Sequence, residues 1–207
     1  MTSTLTVTSA ASLANRRLCT LAAVKAELNI AVTTYDTALT ALIDSASGAI
    51  AEHCKRTLAQ ETVRETWRDV SGVEPLILTR WPVSSIVGVT VDGVAADVDT
   101  YEAEGEKGFL WRLVDDARRC WTPTKLVVEY TAGWRVPDQD DAAVPEGISR
   151  AAVVAVAAWH KGKGRDPMLR SNAADGIGSS SWIATADMGA LPPQSQSLLS
   201  KYVVRSA

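Results

Sequence analysis

Apolar residues spaced three and four apart run through three stretches of this chain, and a period of two runs through the stretch between them. Leu21, Val24 and Leu28 form one stripe of a short helix over residues 21–30, with Thr20 placed to cap its first turn. A longer helix follows, opened by Thr34 or Asp36. Its buried face is Leu39, Leu42, Ile43, Ala46, Ala49, Ile50 and Cys54, and Lys55 and Arg56 complement its C-terminal end. The third stretch, residues 145–161, reads PEGISRAAVVAVAAWHK. Pro145 suits the first turn and Glu146 the positive N-terminal end. Arg150 is the only charge between Ile148 and Trp159. Ile148, Ala152, Ala155 and Trp159 share one face, while Val153, Val154 and Val156 fill the others. A helix apolar nearly all round is buried, in a core or between subunits. It is too short for a membrane span of roughly 20 apolar residues. His160, Lys161 and Lys163 favour its negative end, and Gly162 and Gly164 can stop it.

From Glu61 the period changes. ETVRETW places Val63, Glu65 and Trp67 on one side and Thr62, Arg64 and Thr66 on the other. PLILT (75–79) reads as a strand, Trp81-Pro82 as a break or edge, and SIVGVTV (85–91) as another strand. Asp92-Gly93 is a two-residue hairpin signal leading to a strand near 98–101. A polar turn, EAEGEKG, precedes a strand at 108–113, and KLVVEYT (125–131) is the last, ended by Ala132-Gly133. The expected fold is therefore α+β. It has a short-plus-long helical pair, a small antiparallel sheet assembled from hairpins, a central buried helix and a C-terminal arm. Residues 1–17, rich in Ser, Thr and Ala, are expected to be a flexible start. Residues 18–163 form a single domain with the hairpins inserted at 61–131, and 164–207 form the arm and its helix. Residues 164–193 carry Ile177, Trp182, Ile183 and Met188 in a background of Gly, Ser, Ala and Asp, which suits a segment that orders against a partner. Pro192 and Pro193 then open a helix with Leu198, Leu199, Tyr202 and Val203 as its stripe.

Composition narrows the chemistry. The 207 residues carry a formal charge of -3, so no global basic field invites tight phosphate binding. Three cysteines, Cys19, Cys54 and Cys120, with no CxxC pair, point to reduced thiols and a cytoplasmic setting. The N-terminal arginines follow a weakly apolar stretch, the reverse of a secretory signal. His53 and Cys54 are neighbours, but adjacent helix residues point about 100° apart. His160 sits where the helix dipole explains it. HExxH, GxSxG and the phosphate-binding GxxxxGK[ST] are missing from the sequence. Asp138, Asp140 and Asp141 lack the Gly and Glu of a calcium loop and read as a solvated acidic loop. Glu102, Glu104, Glu106 and Lys107 read as an exposed hairpin tip. GKGRDP (162–167) follows a helix instead of preceding one, so it reads as a helix stop. Trp67, Trp81, Trp111, Trp121, Trp134, Trp159 and Trp182 are spread through the chain as core and interface anchors. No catalytic, metal or cofactor residue is assigned. A thiol hydrolase would have to use Cys54 or Cys120 without a visible base, and a small-molecule module would need a polar constellation the chain does not offer.

The order of these pieces resembles a known family. LCTLAAVKAELNI followed by TTYDTALTALIDSASGAIAEHCKRTL is similar to the opening of head–tail connector proteins of tailed bacteriophages, the adaptors docked under the portal ring. The matching positions are Leu18, Thr20, Leu21, Val24 and Lys25, then Asp36, then Lys55, Arg56 and Thr57. Cys19 interrupts the opening motif, and Asp36 stands alone where an acidic pair is common. WPVSSIVGVTVDG (81–93), KLVVEYTAGW with VPEGISRAAVVAVAAWHKGKGRDP, and GIGSSSW (176–182) resemble later family segments in the same order. The resemblance implies a non-enzymatic virion protein at the head–tail junction, made in the host cytoplasm. It implies a ring, usually of twelve copies, on the portal protein, with a stopper or tail-completion protein beneath. DNA passes through the lumen without sequence-specific binding, and no membrane is involved. A tail-end or other head-completion component is the alternative. On this reading Gly176, Ile177, Gly178, Ser179, Ser180, Trp182, Leu198, Leu199 and Tyr202 face the portal. Ile148, Val153, Val156 and Trp159 meet the neighbouring subunit.

Overall fold

A computed structural model describes residues 2–139, 141–163, 171–174, 178–181 and 190–204. Strands β1 (Thr2–Ser9), β2 (Glu61–Arg68), β3 (Leu76–Ile77), β4 (Val83–Val91), β5 (Val94–Ala95), β6 (Tyr101–Glu104), β7 (Phe109–Val114), β8 (Ala117–Arg119) and β9 (Lys125–Ala132) precede a two-stranded pair, β10 (Ser171–Ala174) and β11 (Gly178–Ser181). The helices are α1 (Leu21–Leu28), α2 (Asp36–Cys54), α3 (Glu146–Gly162) and α4 (Pro193–Leu199). The fold is α+β, as the two periodicities predict. Its contacts divide it into two compact units, one of Met1–Asn15 with Thr57–Arg135 and one of Arg16–Arg56 with Val136–Ala207.

The first unit holds two antiparallel sheets, one ordered β1-β2-β9-β4-β5 and one ordered β3-β7-β6 with β8 also on β7. Val63 and Trp67 of β2, Val128 and Tyr130 of β9, and Val89, Leu110 and Trp121 share its buried core. The expected single hairpin-built sheet is only partly right. The β4–β5, β6–β7 and β7–β8 pairs are local. β2, however, pairs with β9 from Glu61↔Ala132 to Arg68↔Lys125. In these two strands buried positions alternate with half-buried or exposed ones over their whole length, so burying both of their inner faces puts them at the sheet's centre.

Asp92 (φ 50) and Gly93 (φ 90) make the predicted tight turn. Beyond it the strand expected near 98–101 begins later. Residues 98–100 form a 3₁₀ turn, and Tyr101 opens β6 in the other sheet. The expected loose N-terminus is corrected over Thr2–Ser9, which runs along β2 from Thr2↔Arg68 to Val7↔Val63. Four threonines and Val7 are β-branched strand material that a Ser/Thr count reads as loop. Gly133 ends β9 with φ 104, and a Cβ there would collide with the Ala59 carbonyl.

The second unit is helical. Thr20 Oγ1 accepts the Ala23 N–H at 3.1 Å, and Asn29 closes α1 in the left-handed region. Asp36 is the first residue of α2 and not its cap; its carboxylate takes Lys25 Nζ of α1 at 2.7 Å. Leu39, Ile43, Ala46, Ile50 and Cys54 are buried as their spacing requires, while Leu42 and Ala49 are half-buried. Alanines at 151, 152, 155 and 157 keep α3 slim where α1, α2 and α4 pack on it. α4 is seated by Ser195 Oγ, which donates to the Ala151 carbonyl at 2.9 Å, and by the fully buried Leu199.

Candidate assembly surfaces

Three of the four residues expected at a subunit interface are spent inside the chain. Ile148 and Val156 are 0% exposed and Val153 is 6% exposed, beneath the helices that pack on α3. For these three that is a correction: most of the apolar surface of α3 is covered within its own unit by α1, α2 and α4, while Val154, Ala158 and Trp159 stay half-buried. Trp159 is half-buried and donates its indole N–H to the Ala190 carbonyl at 3.2 Å. Arg150, the helix's lone interior charge, grips Glu27 of α1 through two nitrogens at 2.6 and 3.3 Å.

The portal-facing set is scattered by burial. Leu199 is sealed in the core of the second unit, so it anchors α4 and offers nothing outward. Leu198 and Tyr202 are half-buried, with the Tyr202 ring over the start of α3 beside Gly147. Gly178, Ser179 and Ser180 lie on β11, opposite Ala174, Ala173 and Asn172 of β10. Gly176, Ile177 and Trp182 lie outside the described residues, as do Gly164, Ile183, Met188 and the acidic-loop member Asp140.

The first unit carries two features that the sequence pattern did not bring forward. One is a sealed acidic network. Glu65, 1% exposed, accepts hydrogen bonds from the Thr79 N–H at 3.1 Å, from the Thr79 hydroxyl, and from the Tyr130 hydroxyl at 2.9 Å. Glu61, 5% exposed, takes Arg80 Nη1 at 2.6 Å and the Ala11 N–H at 3.2 Å. Burial, then the Glu65 charge, pushes the Tyr130 hydroxyl pKa up, so it stays a donor. The network ties the Thr79–Arg80 turn and the N-terminal segment to β2. The signal for it was two glutamates on the inward phase of β2.

The other feature is an aromatic face on the small sheet. Phe109 and Trp111 meet edge to face at 6.4 Å, and the Arg118 guanidinium stands 4.1 Å over the Trp111 ring. Trp111 Nε1 donates to Glu104, while Arg118 and Lys107 pair with Glu102 and Glu104 at 2.9 Å each. The hydrogen bond from Lys107 chiefly lowers the Glu104 pKa. Glu102 and Glu104 thus belong to β6, and only Gly105–Lys107 is the tip.

The thiols are poorly suited to nucleophilic work. Burial pushes Cys19 up to about 12 and raises Cys54 as well. The exposed Cys120 is also raised, first by its hydrogen bond to Glu74 at 3.3 Å. His160 stacks edge-on against Tyr35 at 5.9 Å. Among the described residues, no group of three or more His, Cys, Asp or Glu could hold a metal ion, and no helix is long and apolar enough to cross a membrane. What the geometry offers is surfaces: a β1 sheet edge that no strand among the described residues pairs with, an aromatic face and a two-stranded pair.

The family model described as head completion protein matches residues 17–203. No curated protein matches the chain. Among solved structures, the fold is similar to a chain in the neck of an empty gene transfer agent (GTA) particle computed with C6 symmetry. The identity is 17% and the TM-score 0.56, covering 99% of this chain and 97% of that one. A chain in the virion of a native gene transfer agent particle is similar at 15% identity and TM-score 0.59, covering 98% and 97%. A third, in the neck of a native particle computed with C12 symmetry, is similar at 15% identity and TM-score 0.53, also covering 98% and 97%.

Proposed function

This chain belongs to the head completion protein family, and from that premise we propose that it is a structural subunit of the head–tail junction in a phage-like particle. The finer reading is a ring-shaped adaptor, of twelve copies, seated between the portal protein and a stopper or tail-completion protein. DNA passes through its lumen without being read. The observation that carries this reading is the family match over nearly the whole chain. The full-length likeness to neck chains of particles computed with sixfold and twelvefold symmetry supports it.

The surfaces agree in kind. Aromatic side chains with a self-neutralised ionic rim, such as Phe109, Trp111 and Arg118, are what protein interfaces use. A net charge of -3 suits a wall that does not hold passing phosphates. Portal contact is proposed for residues 164–207, through Gly176, Ile177, Gly178, Ser179, Ser180, Trp182, Leu198 and Tyr202, with Leu199 anchoring the helix beneath.

Sedimentation velocity of the purified protein, alone and mixed with assembled portal rings, tests the reading. Saturating co-sedimentation with portal rings is expected. A protein that ignores the portal and binds tail tubes would transfer the assignment to a tail-end component.

A further inference from the structure

The two edges of the five-stranded sheet are built differently. The β5 edge is two residues long, and β4 behind it has register breaks at Val83/Ser85 and Ile86/Gly88. Bulges and short strands are the usual means of keeping a sheet edge from pairing with another chain. The β1 edge has little such protection. It is eight residues of TSTLTVTS with no charge and no proline, and its one irregularity falls at its end, between Val7 and Ser9. Every residue but Leu5, which packs against the core of the first unit, is exposed. Its outer side presents the N–H and C=O groups of about four alternate residues.

The same chain holds a piece of sheet that lacks a neighbour. β10 and β11 pair only with each other among the described residues, over four residues each, from Ser171↔Ser181 to Ala174↔Gly178. An isolated two-stranded hairpin is marginal in water, and joining a larger sheet that already has a core relieves this. We infer that in the assembled particle the β10 side of one copy's β10–β11 pair adds to the β1 edge of the next, extending its five-stranded sheet and leaving β11 to the portal.

Every copy supplies one edge and one pair, so the stoichiometry matches without a further component. The two surfaces differ, so the contact is head-to-tail, the kind that a closed ring of identical copies requires. A β1–β1 contact would be self-complementary and would stop at a dimer. The inference rests on the ring reading above.

Amide hydrogen exchange over residues 2–9 tests it, using the full-length protein first as a monomer and then assembled on portal rings. Assembly is expected to slow exchange at alternate amides of β1 by about 10-fold or more. In full-length Asn172→Pro/Ala173→Pro, where β10 cannot present a continuous ladder and the proposed portal residues are unchanged, that slowing disappears. Assembly with β1 still exchanging at its monomer rate overturns the contact while leaving the ring reading intact. Slowing that survives the double proline variant means another segment covers β1, which overturns the assigned occupant. A chain that does not assemble under any of these conditions overturns both.

Discussion

The Tyr130 hydroxyl of β9 donates to Glu65 of β2 at 2.9 Å, with the tyrosine 0% and the glutamate 1% exposed. The pair crosses the two central strands and holds a carboxylate in the core. Thr79 supplies its other donors from the turn after β3. Removing one donor leaves a buried carboxylate lone pair unmet, at a cost of about 1–3 kcal/mol. Tyr130→Phe is therefore expected to lower stability by about that amount with the fold retained, read as a reduced urea midpoint at unchanged slope. An unshifted midpoint would mean that water replaces the hydroxyl and that the network is open.

That network also marks where sequence reading stopped. Thr20, Asn29 and the Leu39–Ile43–Ile50 stripe identify α1 and α2 because helix signals are local. Asp92-Gly93 identifies its turn for the same reason. Period two places Glu65 on the inner face of β2 but does not reveal that Tyr130, 65 residues on, will meet it. Nor does it reveal that β2 and β9 are neighbours. The apolar girth of α3 leaves open whether another subunit or α4 covers Ile148 and Val156. Amphipathicity reports that a face is buried and not what buries it. β1 was hidden because threonine serves loops and strands alike, and pairing with β2 decides between them.

The seating of α4 on α3 separates a packing contribution from a hydrogen-bond contribution. Leu199 is 0% exposed, so Leu199→Ala is expected to cost about 2–5 kcal/mol through lost burial and a cavity. Ser195→Ala removes one neutral hydrogen bond to the Ala151 carbonyl and should cost about 0.5–1.5 kcal/mol. Chemical denaturation of the two variants should rank them in that order. Equal and negligible losses would show that α4 is not docked in the free protein.

Gly133 combines φ 104 with a close approach to the Ala59 backbone. Gly133→Ala meets both a left-handed backbone and a collision that no side-chain rotation relieves. A loss of at least about 1–3 kcal/mol is expected, against near neutrality for Gly48→Ala, where the added Cβ meets open space and helix propensity improves. Parallel thermal melts of the two variants check the contrast.

The cysteines set the alkaline behaviour. Burial holds the Cys19 thiol up at about 12 in the folded chain, against an ordinary value of 9.0. Once pH passes 9 the unfolded chain releases that proton and the folded chain keeps it. The stability tied to Cys19 is therefore fully present below pH 9 and drains away as pH rises toward 12. In that window one such group contributes a slope of up to about 1.4 kcal/mol per pH unit, and Cys54, also raised by burial, adds to it. Urea midpoints followed from pH 8 to pH 10.5 should fall more steeply in the parent than in Cys19→Ala. A thiol reagent under native conditions should label Cys120 alone, since Cys19 and Cys54 are buried and Cys120 is exposed. Labelling of Cys19 at a rate near that of Cys120 would show that the segment leading into α1 opens readily, and would remove the basis for the alkaline slope.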